Sequence, residues 1–267
     1  MILLYILLSI IILILIYLFF LIPLRKKRPF DNKYLCSYAH RGLHGNGVVE
    51  NSLEAFDLAV KNGFGIELDV QLSKDGEVVV FHDGTLDRMT GVNKNVIDLD
   101  LQQLKQLKLK ESDQTIPTFK EVLALVGGKV PLLVEIKGES FDLSVCPKVA
   151  EILKEYKGDY LIESFNPFII KEMKKYLPNA LYGQLYYNRC LDKKSYSFLN
   201  VTYTTLMLNV ISRPDFLSYD KHCRNSFIVK LITKLYKRPQ FVWTPKGQDE
   251  IDLAKSLGEY PIFELYK

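Results

Sequence analysis

The stretch ELDVQLSKDGEVVVFHDG, Glu67 to Gly84, sets two carboxylates two positions apart in one apolar run and ends a second apolar run on His82-Asp83. Only LSKDG separates the two runs. A parallel crossover needs a dozen or more residues, so the second run must fold back antiparallel on the first, as a hairpin. Side chains two apart on a strand share a face. Glu67 and Asp69 therefore point the same way, and the hairpin returns His82 toward them.

Outward from the hairpin, apolar runs of strand length alternate with helical patterns. Strands are expected at 38–41, 66–70, 132–137, 160–165, 181–187, 202–208, 241–244 and 261–265. Helices are expected at 52–62, 119–126, 147–156, 167–176, 192–199, 214–236 and 248–257. Asn51-Ser52 with Glu54, and Thr118 with Glu121, are helix-start signals. Eight strands joined by helical crossovers predict an α/β fold, a (β/α)8 TIM barrel. The hairpin strand is a ninth run. It makes residues from about 71 to 116 an insertion after strand two, with a helix of its own in DLDLQQLKQLKL (98–109), and the barrel stays at eight.

Before the barrel, Met1 to Ile22 is almost wholly aliphatic and aromatic, and Arg25-Lys26-Lys27-Arg28 follows. The run is long enough to cross about 30 Å of hydrocarbon as a helix. It lacks the leading positive charge and small-residue cleavage site of a secretory signal. The expected organisation is a transmembrane helix over 1–24, a basic juxtamembrane linker over 25–34 and the barrel over 35–267. The positive-inside rule makes this a single-pass membrane protein with a cytoplasmic catalytic domain. The four basic residues account for the whole excess of 35 Lys and Arg over 31 Asp and Glu. The body is therefore neutral, which argues against nucleic-acid binding, and the cluster is an anchor for an anionic leaflet. Nothing in the sequence identifies a protein partner. Cys36, Cys146, Cys190 and Cys223 are scattered without a CxxC pair, so no zinc or redox motif is present.

A barrel of this kind keeps its active site at the C-terminal ends of the strands. His40 and Arg41 end the first strand, Glu67 and Asp69 lie on the second, Glu135 and Lys137 on the third, and His82 arrives on the hairpin. Three converging carboxylates repel by about 4 kcal/mol per pair at 4 Å and an effective dielectric near 20. Protonation or a bound cation must relieve this. Oxygen-only ligands suit Mg²⁺ or Ca²⁺, with Mn²⁺ also admissible, better than zinc. Arg41 and Lys137 supply a phosphate clamp, and His40 and His82 suffice for one general base and one general acid, in either order. The combination points to phosphodiester cleavage. Trp243, the only tryptophan, ends a strand and fits both stacking on a substrate head group and plain packing.

The order AHRG, VENSLEAF, IELDVQLSKDGEVVVFHDGTLDRMT, VEIKG, ESF and VWT resembles the glycerophosphodiester phosphodiesterase family, from about Tyr38 to Thr244. The resemblance implies a (β/α)8 barrel with an insertion after strand two and a divalent metal on Glu67, Asp69 and Glu135. It also implies acid–base roles for His40 and His82, and Arg41 and Lys137 near the phosphate. Glu50 and Asn51 match an acidic-Asn pair near the metal, with Val49 where the family usually has Pro. The implied reaction hydrolyses a glycerophosphodiester to glycerol 3-phosphate and an alcohol, with the glycerol 2-hydroxyl as a candidate nucleophile. Two departures stand out. Pro245-Lys246-Gly247 follows Trp-Thr where the family commonly has Val-Asn, and the last strand reads PIFELYK in place of Thr-Asp-x-Pro.

Two rivals remain. One is a lysophospholipase D acting on membrane lysolipids, favoured by the anchor. FIVKLITKLYKR (227–238) reads first as a barrel helix with a basic outer face, and second as a helix on a lipid surface. The other rival is a non-catalytic barrel that binds phospho-ligands.

Overall fold

The computed structural model describes residues 1–21, 28–138 and 141–265. Eight parallel strands close a barrel: β1 (Tyr38–Ala39), β2 (Gly65–Leu72), β4 (Leu132–Ile136), β5 (Tyr160–Ser164), β6 (Tyr182–Tyr186), β7 (Phe216–Asp220), β8 (Gln240–Lys246) and β9 (Tyr260–Glu264). β1 pairs with both β9 and β2, which seals the ring. A ninth strand, β3 (Val78–Val80), runs antiparallel to β2 with Val70 opposite Val80 and Leu72 opposite Val78. The hairpin expected from the short LSKDG turn is therefore present. Ser73 closes the turn, its amide donating to the Glu77 carbonyl at 2.9 Å.

Twelve α-helices are described. They are α1 (Ile2–Leu21), α2 (Leu53–Lys61), α3 (Asp87–Thr90), α4 (Leu101–Lys105), α5 (Phe119–Val126) and α6 (Val145–Glu155), followed by α7 (Pro167–Tyr176), α8 (Arg189–Asp192), α9 (Phe198–Thr204), α10 (Asn209–Ser212), α11 (Phe227–Tyr236) and α12 (Gly247–Ser256). Ser52 caps α2 by accepting the Ala55 amide at 3.1 Å, and Thr118 caps α5 by accepting that of Glu121 at 3.2 Å. Strand alternation divides the core into layers. Ile66, Leu68, Val70, Leu132, Val134 and Ile136 pack outward in one cluster with Phe56, Val122 and Val149 of the helices. Leu133, Leu161, Leu181, Phe216 and Phe241 fill the barrel interior. Gly183 leaves room there for the Phe216 ring, which a Cβ would meet at 2.1 Å. The polar members of the inward rows, higher along the same strands, form the site.

One expected strand is wrong. Residues 202–208 lie in α9 and the turn after it, and the sixth barrel strand in chain order, counting β3 apart, is Phe216–Asp220. The threonine-rich run suggested a strand by composition. Its hydroxyls are instead satisfied along the helix, Thr202 donating to Leu199 O at 2.8 Å and Thr205 to Val201 O at 2.7 Å. FLSYD escaped notice because it lies between Pro214 and an amphipathic helix. That helix begins only at Phe227, where Ser226 caps it, and not at 214. The insertion helix is likewise shorter than its sequence pattern, covering Leu101–Lys105. The segment's own core holds Val79, Phe81, Leu86, Met89, Val96, Leu99, Leu104, Leu109 and Ile116.

The apolar helix α1 stands clear of the barrel over most of its length, but its last turn does not. Leu21 is fully buried in a cluster with Leu206, Leu217, Val229 and Ile232, and Tyr17 and Leu18 pack against the same cluster. Tyr17 Oη donates to the Thr205 carbonyl at 3.1 Å. Arg25, Lys26 and Lys27 of the basic run, and residues 22–24 of the expected span, lie outside the described residues. Arg28 differs from a solvated anchor residue. Its guanidinium pairs with buried Asp215 at 3.0 Å and donates to the carbonyls of Pro178 and Ala180, at the openings of β6 and β7.

Candidate active site

Parallel strands put all their C-terminal ends on one rim. Asp69 on β2 stands in register with Glu135 on β4, and Glu135 with Glu163 on β5. Oxygens of Glu67, Asp69 and Glu135 all lie within 4.8 Å of one another, and all three residues are buried. Lys137 Nζ bridges two of them, 2.8 Å from Asp69 Oδ1 and 2.6 Å from Glu135 Oε1. The hairpin brings His82 to the same place, because the Phe81 amide donates to the Asp69 carbonyl at 3.0 Å.

His40 and Arg41 leave β1 through a tight turn. Gly42 sits at φ +80°, and a Cβ there would lie 2.9 Å from the Ala55 backbone, so only glycine fits. Arg41 itself has positive φ, and its amide turns inward to donate to Glu67 Oε2 at 2.8 Å. Its guanidinium donates to Glu50 at 2.7 Å, with Nε 3.6 Å from Asp69. Asn51 Nδ2 donates to Asp69 Oδ2 at 2.8 Å. The pair after Val49 therefore belongs to the cluster.

The electrostatics are those of a site short of positive charge. Burial, then Asp69 and Glu135, lift Glu67 well above the usual carboxylate range. Burial lifts Glu135 to about 7 although Lys137 opposes it. Burial and Glu135 also lift Glu163. Burial acts on Asp69 in the same sense, but Lys137, His82 and Arg41 outweigh it and hold that carboxyl well below its ordinary value. The donor set is hard oxygen, and Asn51 Oδ1 is buried beside it with no hydrogen-bond donor. An unpaired acceptor next to carboxylates that repel is a fit for a divalent cation.

Each histidine is backed by a carboxylate. His40 Nδ1 lies 2.9 Å from Glu264 Oε1, and His82 Nδ1 lies 2.6 Å from Asp83 Oδ1. Ionised carboxylates only accept, so both Nδ1 atoms carry the proton and both Nε2 atoms keep a lone pair. Burial brings His40 down to about 4 and also lowers His82. Both rings are therefore neutral at pH 7. Arg88 from α3 grips Asp83 at 2.5 Å and Glu50 at 2.7 Å, tying the insertion to the carboxylates behind His82 and Arg41.

His40, Arg41, Glu67, His82, Glu135 and Glu163 line one cleft of about 360 Å³. Phe165, Tyr187 and Trp243 form an aromatic wall, with the Trp243 ring edge-on to Phe165 at 5.9 Å. Trp243 thus both packs and faces the cleft. A larger groove of about 760 Å³ between α5 and α6 holds none of the buried carboxylates. Sequence reasoning missed Glu163, Glu264, Asp83 and Arg88. Glu163 and Glu264 carry the signal that revealed Glu135, an acid near the end of an apolar strand. Asp83 and Arg88 had no such signal, because their roles come from the folding of the insertion.

The family model described as the glycerophosphoryl diester phosphodiesterase family matches residues 40–263. A glycerophosphodiester phosphodiesterase of Caldanaerobacter subterraneus is 40% identical over 159 residues, covering 55% of this chain and 65% of that protein. A lysophospholipase D of Rattus norvegicus is 36% identical over 150 residues, covering 51% of this chain and 46% of that protein. The chain thus spans about half to two thirds of the length of these relatives. The crystal structure of a glycerophosphodiester phosphodiesterase from Thermotoga maritima has a TM-score of 0.66 at 26% identity, over 90% of this chain and 96% of that one. An Oleispira antarctica phosphodiesterase, solved with sn-glycerol-3-phosphate, shares the fold with a TM-score of 0.69 at 23% identity, over 86% and 92%.

Proposed function

Because the chain belongs to the glycerophosphoryl diester phosphodiesterase family, we propose that it hydrolyses glycerophosphodiesters to glycerol 3-phosphate and an alcohol. The observation that carries this reading is one cleft lined by Arg41, Glu67, Glu135 and two neutral histidines, each histidine backed by a carboxylate, with Asp69 and Lys137 bonded to that acidic cluster.

In this reading Arg41 and Lys137 hold the phosphodiester anion, and Glu50 and Asn51 orient Arg41 and Asp69. Glu67, Asp69 and Glu135 would hold a divalent cation, Mg²⁺ or Ca²⁺ with Mn²⁺ also admissible, which when bound stabilises charge on the phosphoryl oxygens. Nε2 of one histidine takes the proton from the attacking glycerol 2-hydroxyl as its oxygen bonds to phosphorus. Nε2 of the other, protonated for that step, gives its proton to the leaving alcohol as the old P–O bond breaks. Water then opens the cyclic phosphate with the roles reversed. Trp243 stacks on the alcohol's head group from the aromatic wall. The test is turnover of glycerophosphocholine by the full chain with Mg²⁺ or Ca²⁺. Absence of glycerol 3-phosphate in every metal condition would remove the reading.

We also propose that residues 1–24 are a single-pass membrane helix, 25–34 its basic linker and 35–267 a cytoplasmic barrel. The apolar window Ile2–Phe19, in which only Tyr17 and Leu18 pack partly against the barrel and no residue is fully buried, supports this. Protection of a C-terminal tag from external protease is the expected result in spheroplasts. The same helix favours a second reading, a lysophospholipase D, and one of the relatives bears that name. Comparing lysophosphatidylcholine with glycerophosphocholine separates the two. Binding without hydrolysis would instead favour a phospho-ligand-binding barrel.

A further inference from the structure

Large exposed apolar side chains among the described residues concentrate in two places: along α1, and on the loops that leave the barrel at its strand ends. Leu191, Tyr196, Phe198 and Leu199 follow β6, and Phe227 follows β7, with Phe198 86% and Phe227 74% exposed. These are the loops that wall the cleft. Asp192, beside Leu191, and Asp220, at the end of β7, both line it.

The same flank receives α1. Tyr17 reaches the Thr205 carbonyl just past the end of α9, the helix that Phe198 begins. Tyr17 and Leu18 pack against the cluster that also takes Ile228 of α11, next to Phe227. The last turns of the apolar helix therefore pack directly on the barrel, through Tyr17, Leu18 and Leu21. Tyr17 meets the barrel at Thr205, whereas Arg28 lies at the openings of β6 and β7. Charge agrees with apolarity here. Residues 188–238 hold ten Lys and Arg against three Asp; Asp215 is paired with Arg28, and Lys193, Lys221 and Arg224 are paired with Asp192, Glu250 and Glu259. Lys193, Lys194, Lys230 and Lys234 are exposed.

We propose that the flank formed by α8, α9 and the start of α11 docks on a phospholipid surface beside α1, and so sets the mouth of the cleft against the bilayer. Aromatic rings with flanking lysines suit the interfacial layer, where rings sit among head groups and ammonium groups meet lipid phosphate. The proposal rests on α1 being a membrane helix. It deepens the proposed function by making the diester substrate one presented at a lipid surface.

The test uses the full chain in vesicles of phosphatidylcholine and phosphatidylglycerol. Cys36, partly exposed while the other three thiols are buried, is changed to Ser. A bimane is attached through Phe198→Cys, through Phe227→Cys, or through Lys120→Cys on the remote helix α5 as control. Doxyl-labelled lipids should quench the first two at least threefold more than the control, and aqueous iodide should do the reverse. Equal lipid quenching at all three sites would overturn the proposal. So would iodide shielding at 198 that appears only at high protein-to-lipid ratio without lipid quenching, which marks a contact between copies. The readout does not use hydrolysis, so it stands or falls apart from the proposed reaction. In a second measurement, Phe198→Asp with Phe227→Asp should lower turnover of vesicle-bound lysophosphatidylcholine about tenfold and leave dissolved glycerophosphocholine unchanged. An equal fall on both substrates would also overturn it.

Discussion

Nδ1 of His40 lies 2.9 Å from Oε1 of Glu264, joining the first barrel strand to the last across 224 positions. The His40 hydrogen bond, aided by Lys246 and opposed by burial, holds Glu264 at about 2. Lys246 Nζ sits 2.6 Å from the other carboxylate oxygen. Lys246 and Glu264 lie in two of the stretches where the sequence departs from the pattern its family resemblance implies, and they form one unit behind His40. Glu264→Gln should lower kcat about tenfold or more with KM little changed, because the ring loses the partner that fixes its tautomer. An unaltered kcat would separate Glu264 from catalysis.

Removing either imidazole should cost more. His40→Ala and His82→Ala are each expected to lose about 10²–10⁴ in rate on glycerophosphocholine. Circular dichroism should be unchanged, and near wild-type turnover by either variant would refute the assigned roles.

Acid should destabilise the fold through His40. Its imidazole is at about 4 when folded, against 6.5 for the ordinary side chain. Between these values the unfolded chain binds the extra proton, so the stability contributed by burying neutral His40 is complete above about 6.5 and is lost as pH falls toward 4. Glu264 adds a second loss as pH falls from 4.5 toward about 2. The urea midpoint should drop between pH 7 and pH 4.5, and drop less in His40→Gln. A midpoint that rises on acidification would contradict a buried neutral ring.

The carboxylate cluster predicts cation binding that can be read without activity. Mg²⁺ or Ca²⁺ should raise Tm in wild type, by linkage to the native state. Asp69→Asn should abolish the rise. Chelator should remove activity, and either cation should restore it. A Tm indifferent to both ions would leave Lys137 and Arg41 as the counter-charges of the cluster.

Arg28→Ala strands Asp215, which is 2% exposed and also accepts the Tyr182 amide at 3.1 Å. Breaking a pair of this kind should cost about 2–4 kcal/mol, since one partner is partly solvated. Urea denaturation of Arg28→Ala beside Asp215→Asn measures this. Loss below about 0.5 kcal/mol would mean that water replaces the arginine.

The hairpin was legible because a five-residue turn excludes every parallel connection, and with it came the insertion and the position of His82. Glu67, Asp69 and Glu135 were legible because charge in an apolar strand is costly and needs a reason. The exchange of 202–208 for Phe216–Asp220 shows where the sequence stops informing. Thr-Tyr-Thr-Thr has the composition of a strand, yet the hydroxyls of Thr202 and Thr205 find carbonyl partners one helical turn back, which local pattern cannot reveal. The partners of the two histidines were hidden for a different reason. Glu264 is remote in sequence from His40, and Arg88 reaches Asp83 and Glu50 only after the insertion has folded.

That insertion has its own apolar core, and through Arg88 it holds the carboxylates behind both His82 and Arg41. A segment with a separate core can open as a unit while the rest of the molecule stays folded. Its amides, from Val79 to Leu109, would then exchange with solvent together and ahead of the strands. Each such excursion would release the carboxylates behind His82 and Arg41 without unfolding the barrel. The barrel would then govern how long the fold lasts, and the insertion what fraction of that time the site stays assembled.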